Sequence, residues 1–236
     1  MPQIGLFWAE YFRSIYIPEI ETFAQCLVDR ILPTFNKLED EASEIEEKEN
    51  ERLCMLSGPD DDGETIAKQA REAGQDHYTR FSSMRQGIVN MFCAGLYHLF
   101  EQHIFNIYRL EILGIGKEVK ENLTLEIIHK EFLDRVGINI KKMKAWMLID
   151  ELRLISNTVK HADGKSSKKL KETKPKLFYN PELAGLRSLR SKPGPVLKPM
   201  FGENVYVTFD DFSNYVDALK SFWFELADLI ESNYKN

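Results

Sequence analysis

The chain has 236 residues, of which 43% are hydrophobic and 29% charged, and a formal net charge of −6. That length and apolar content suit one large domain with a real core, which excludes the disordered and fibrous classes. The charge is segregated: residues 1–63 carry a net −10 and residues 160–198 a net +8, so an acidic chain holds one concentrated basic stretch.

Phe12, Ile15, Tyr16, Ile20, Phe23, Leu27 and Ile31 recur at helical spacing, and Pro18 and Pro33 predict one kinked helix or two short ones over residues 3–35. Residues 36–56 are dense in charge around the sparse Leu38, Ile45 and Leu53, which predicts an exposed acidic helical arm. The run SGPDDDGE at 57–64 ends it. A long helix starts at Thr65. Met84, Ile88, Met91, Gly95, His98, Gln102 and Phe105 fall on a 4-3-4-3-4-3 line there, which predicts a packing seam.

Gly114 and Gly116 stop that helix, and Thr124 opens another with Leu125, Ile128, Phe132 and Val136 inward, closed by a turn at Gly137. Residues 140–161 predict a helix with Leu148, Leu152, Ile155 and Val159 on its inner face and Gly164 as its stop. Residues 162–207, rich in Lys, Ser and Pro, read as an irregular insertion with at most two short helical turns, near 168–171 and 181–190. Strand signals are confined to NVYVTF at 204–209. Thr208 with Asp211 gives an N-cap signature, after which Phe212, Val216, Leu219, Trp223, Leu226 and Ile230 predict a C-terminal amphipathic helix. The expected fold is all-α: one domain over residues 1–236, an antiparallel bundle of long helices with a basic, largely irregular insertion before the last of them.

Cys26, Cys54 and Cys93 are odd in number and far apart, and read as buried thiols in a reducing cytosol. The five histidines are scattered without zinc spacing, so neither a metal site nor a cofactor is expected. The N-terminal residues lack a signal-peptide pattern. The apolar stretch 88–108 includes Asn90, His98, Glu101, Gln102, His103 and Asn106, too polar for a lipid-facing span. A cytoplasmic protein without a membrane is the expectation. No glycine-rich phosphate loop or nucleophile elbow is present in the sequence.

One segment points to chemistry. In DELRLISNTVKHADG, Arg153, Asn157 and His161 follow at four-residue steps and share a helix face opposite the apolar stripe. A wet helix face would look the same. A functional reading uses all three: the helix C-terminal dipole favours the His161 imidazolium, Arg153 can fork onto a phosphate, and Asn157 can orient either. Such a set suffices for metal-free RNA cleavage by the neighbouring 2′-hydroxyl. Tyr97, His98, Glu101 and Gln102 form a second constellation. His98 or Glu101 could orient Arg153 or His161 from a facing helix, or His98 and Gln102 could be a hydrogen-bonded core pair. Lys165, Lys168, Lys169, Lys171, Lys174, Lys176, Arg187, Arg190, Lys192 and Lys198, with Phe178 and Tyr179 among them, suit single-stranded RNA, or a solvated loop.

The segment resembles the HEPN class (higher eukaryote and prokaryote nucleotide-binding) of helical domains. Those carry an arginine, often followed by asparagine, and a histidine four to six residues after the arginine near a helix end. Asn157-x-x-x-His161 matches half of that pattern. Ser156 stands where the arginine would precede Asn157; Arg153 lies one turn earlier, and Lys160 is the other available cation. The resemblance implies a metal-independent endoribonuclease of toxin or phage-defence type, with a composite site across a homodimer. It equally admits a non-catalytic module or antitoxin-like subunit that binds a partner protein of a defence system.

Overall fold

The computed structural model describes residues 5–58, 61–114, 123–181 and 193–235. From Phe7 to Phe35 the backbone stays helical through α1 (Phe7–Tyr11), a π turn (Phe12–Tyr16), α2 (Ile17–Gln25), a second π turn (Cys26–Ile31) and a 3-10 turn (Leu32–Phe35). The prolines do not break it. Pro18 occupies the first turn of α2 and Pro33 the first turn of the 3-10 segment, where a missing N–H costs little, and the π turn before each absorbs the shift in hydrogen-bond register.

Next, α3 (Leu38–Leu56) and α4 (Gly63–Ile107) form an antiparallel hairpin whose second helix is capped by Asp62, which accepts from Glu64 N at 3.1 Å. The helices touch closely at Gly74, where a Cβ would stand 2.7 Å from Ala42 O. Of α3 only Leu38 is buried, so the acidic arm is exposed as expected, with the first part of α4 as its second helix. At 1.5 Å per residue the 45-residue α4 is about 68 Å long, so one helix forms both the arm and a wall of the bundle.

The α4 seam differs from the sequence expectation. Met91 and Gln102 are exposed, and Met84, Ile88, Gly95, His98 and Phe105 are half-buried; Val89, Cys93, Leu96, Phe100, Ile104 and Ile107 are buried instead. Apolar residues stand on both sides of this stretch, so two opposite stripes have helical spacing, and contact with α6 and α8 selects the second.

After a π turn (Tyr108–Gly114), α5 (Leu125–Val136) begins at the Thr124 cap and ends at Gly137, φ 75°, with Ile128 and Phe132 inward. Residues 140–142 are a 3-10 turn capped by Asn139, so α6 (Trp146–His161) starts later than the spacing predicts. It ends at His161, with Ala162 rather than a glycine taking positive φ. Gly164 instead opens α7 (Lys165–Thr173), its N–H donating to Ser167 Oγ at 2.9 Å. The insertion is thus more structured than expected: α7 buries Ser167 and Leu170 against α6, and Leu177, Phe178, Val196, Val205 and Val207 are also buried. Among the described residues the NVYVTF piece pairs with no strand: Asn204 takes φ 69°, 205–208 are irregular with Tyr206 N bonded to Leu177 O at 2.7 Å, and Phe209 already belongs to the C-terminal helix.

Residues 193–207 are fastened to α4 by Asn90, which is fully buried. Its Nδ2 donates to Pro199 O and Val205 O, both at 2.8 Å, and its Oδ1 accepts from Gln86 Nε2 at 3.0 Å. Beside it Gly202, φ 78°, lies flat on Gly87; a Cβ at either would overlap the other segment's backbone. Finally α8 (Phe209–Lys235) starts at the Thr208 cap, which Asp211 completes, and buries all six residues of the predicted stripe. Trp223 sits at the centre among Phe12, Tyr16, Phe100 and Phe222. The fold is an all-α bundle of α1, α2, the second half of α4, α6 and α8, flanked by α5 and α7.

Candidate functional site

The apolar stripe of α6 packs inward as expected, and Ile149, Leu154, Ser156 and Thr158 are buried beside it. The remaining polar strip is narrow. Arg153 and Asn157 are half-buried and His161 is exposed at the helix end. At about 100° per residue, Arg153, Asn157, Lys160 and His161 all fall within a third of the helix circumference.

The strip is not an open set of hands for a phosphate. Arg153 places Nε 2.8 Å and Nη2 2.7 Å from Asp150 Oδ1, and Lys169 from α7 reaches Asp150 Oδ2 at 3.3 Å. Partial burial would raise the Asp150 acid, but the two cations more than offset it and hold the carboxyl below the ordinary value. The reading of the motif overlooked Asp150, although its i, i+3 spacing to Arg153 is a standard pairing distance. Asn157 and His161 make no side-chain hydrogen bond among the described residues.

The facing-helix contact joins a different member of the strip from those expected. His98 meets Lys160, not Arg153 or His161: Lys160 Nζ lies 2.9 Å from His98 Nε2, and His98 Nδ1 lies 3.2 Å from Glu101 Oε2. A lysine ammonium has only donors, so Nε2 accepts, and the ring hydrogen sits on Nδ1 facing the carboxylate. The chain Glu101, His98, Lys160 therefore runs from α4 to the end of α6, with His98 45% and Glu101 28% exposed at the side chain. Tyr97 is buried behind it; burial, with Glu101, raises its hydroxyl well above the ordinary value. Gln102 belongs to neither the seam nor this chain. It is exposed and lines a shallow groove with Glu19, Thr22, Phe23 and His103.

The basic segment is divided in use. Lys169, Lys171 and Lys174 pair with Asp150, Asp163 and Glu151 at 3.3, 3.1 and 3.1 Å. Lys165, Lys168 and Lys176 are exposed and make no ion pair among the described residues. Phe178 does not wait for a base: it is buried, with Lys171 Nζ 5.5 Å from its ring centroid. Arg187, Arg190 and Lys192 lie outside the described residues. The cysteines also depart from expectation, since Cys26 and Cys54 are exposed, on the helical N-terminal run and on the arm, and only Cys93 is buried.

Among the described residues no three His, Cys, Asp or Glu side chains gather closely enough to hold a metal ion, and no helix is long and apolar enough to cross a membrane. A separate pocket between α4 and the start of α8 is lined by Tyr78, Ser83, Arg85, Gln86, Tyr206 and Phe209. No family model, curated protein or solved structure matches the chain.

Proposed function

We propose that this chain acts on RNA as a HEPN-like helical protein, cleaving a single strand without a metal at the outer face of α6, in a cytoplasmic system of toxin or phage-defence type. The observation behind this reading is the polar strip of Arg153, Asn157, Lys160 and His161 on α6, followed at the start of α7 by Lys165 and Lys168, which are exposed and make no ion pair among the described residues. Lysines at the end of one helix and the start of the next lie along a path that a phosphate backbone can follow.

In this reading Lys165, Lys168 and Lys176 hold the strand and His161 transfers a proton at the scissile phosphate. Arg153 leaves Asp150 to meet the phosphoryl oxygens, since a dianionic transition state competes well for a guanidinium already 32% exposed. Two copies with α6 faces opposed would bring two such strips together.

The test is cleavage of mixed-sequence single-stranded RNA in excess EDTA. Wild type should leave 2′,3′-cyclic phosphate ends, His161→Ala should lose about 100-fold or more in rate, and Arg153→Ala should lose a comparable factor. No cleavage by wild type would overturn the catalytic reading. A second reading, a non-catalytic interaction module, is favoured by the hairpin arm, whose tip exposes Met55 by 83% and Leu56 by 72%. It predicts RNA-independent capture of a partner protein that Met55→Ser with Leu56→Ser abolishes.

A further inference from the structure

The chain from Glu101 through His98 to Lys160 has the parts of a masked proton acceptor. His98 Nδ1 carries the hydrogen and faces a carboxylate oxygen at 3.2 Å, which fixes the tautomer and leaves Nε2 as the acceptor. The lone pair on Nε2 is occupied by the Lys160 ammonium at 2.9 Å. The contact stands outside the buried packing: His98 and Lys160 lie on the half-exposed rims of α4 and α6, while Ser156, one turn earlier, makes the buried contact to Ala94 O.

A phosphate diester changes the balance. To the hydrogen bond that the ammonium already makes with the neutral imidazole, an anionic phosphoryl oxygen adds the direct attraction of opposite charges. A strand laid along α6 therefore draws Lys160 off the imidazole and onto a phosphoryl oxygen. Nε2 is then left bare beside that phosphate, where the adjacent ribose presents its 2′-hydroxyl. His161, the next residue on α6, projects about 100° round the helix from Lys160 and so reaches the phosphate from the other flank.

We propose that His98 is the general base of the cleavage reaction and His161 its general acid, with Lys160 as the cation that both masks the base at rest and holds the phosphate during the reaction. This assignment rests on the ribonuclease reading above. His98 Nε2 takes the 2′-hydroxyl proton as the 2′-oxygen forms its bond to phosphorus. The bond from phosphorus to the 5′-oxygen breaks, and that oxygen takes the proton of the His161 imidazolium. The products are a 2′,3′-cyclic phosphate and a 5′-hydroxyl, and the two histidines return to their starting states by exchange with water. Glu101 acts through His98 and is a positioning residue.

The roles separate by leaving group. Single-turnover cleavage is measured in EDTA on an ordinary RNA and on the same RNA with a 5′-bridging sulfur at the scissile bond, which departs without protonation. His98→Gln, which keeps an acceptor for Lys160, and His98→Ala should each lose about 100-fold on both substrates, with RNA affinity unchanged. His161→Ala should lose a similar factor on ordinary RNA and recover on the sulfur substrate. Glu101→Gln should reduce both rates about tenfold at unchanged affinity, and a near-ultraviolet dichroism spectrum matching wild type checks the fold of every variant. His98 variants within threefold of wild type, or rescued by sulfur, would overturn the assignment while the ribonuclease reading stands. A wild-type protein that cleaves neither substrate overturns both.

Discussion

His103 is 4% exposed, lies flat against Tyr16 with ring centroids 3.8 Å apart, and has Nε2 2.8 Å from Glu19 Oε2 while Nδ1 meets no partner among the described residues. Protonation would bury a second N–H with nothing to accept it, so burial, against the pull of Glu19, lowers its affinity for a proton below the ordinary value near 6.5. The unfolded chain then binds a proton that the native state refuses, and stability rises with pH through this window. Urea unfolding should show stability falling as pH drops from about 7 to about 5, and His103→Gln should flatten that part of the profile. An unchanged slope in the variant would place the effect elsewhere. At this scale the sequence showed what one helix turn can show. Arg153, Asn157 and His161 share a face because helix geometry makes them do so. The contact from Lys160 to His98 joins residues 62 apart on two helices, and no local spacing encodes it.

Asn90 is the buried centre of the docking of residues 193–207 onto α4, since it satisfies two carbonyls of that segment and takes Gln86 and, more distantly, Val207 N in return, while Gln86 Nε2 also reaches Val207 O at 3.0 Å. Asn90→Leu fits the space yet strands those groups, and should cost about 3 kcal/mol in urea unfolding, with the 193–207 amides losing hydrogen-exchange protection before the rest of the bundle. Equal loss of protection everywhere would count against a local role. Elements differed in how plainly they could be read. The stripe of α8 alternates with the charged Asp217, Lys220 and Asp228, none of which is buried, so its inner side is unambiguous. In the second half of α4 apolar residues stand on two opposite sides, and spacing alone does not choose between them. In α7 the reading failed for the opposite reason: Ser167 and Leu170 are its whole buried side, too little to stand out among lysines.

Across the whole molecule the charge segregation is real in space as well as in sequence, with the acidic residues of α3 on the arm and the lysine-rich α7 packed beside α6, where Lys169 reaches Asp150. Binding of single-stranded RNA, followed by fluorescence anisotropy over a salt series, should weaken linearly in a double-logarithmic plot. Replacing Lys165, Lys168 and Lys176 together by alanine should flatten that slope by about 2, since each phosphate contact on a single strand contributes about 0.7. An unaltered slope would mean that this face touches no phosphate. The same view of the molecule bears on how it comes into being. Arg13 holds Asp228 at 2.7 Å and also Glu231, and α1 and α2 pack on α8, so elements made more than 200 residues apart share one core. During synthesis Phe12 and the flank of Tyr16 turned away from His103 must wait until Trp223 emerges to meet them, and the bundle closes late, by a long-range contact that ribosomal order cannot hasten.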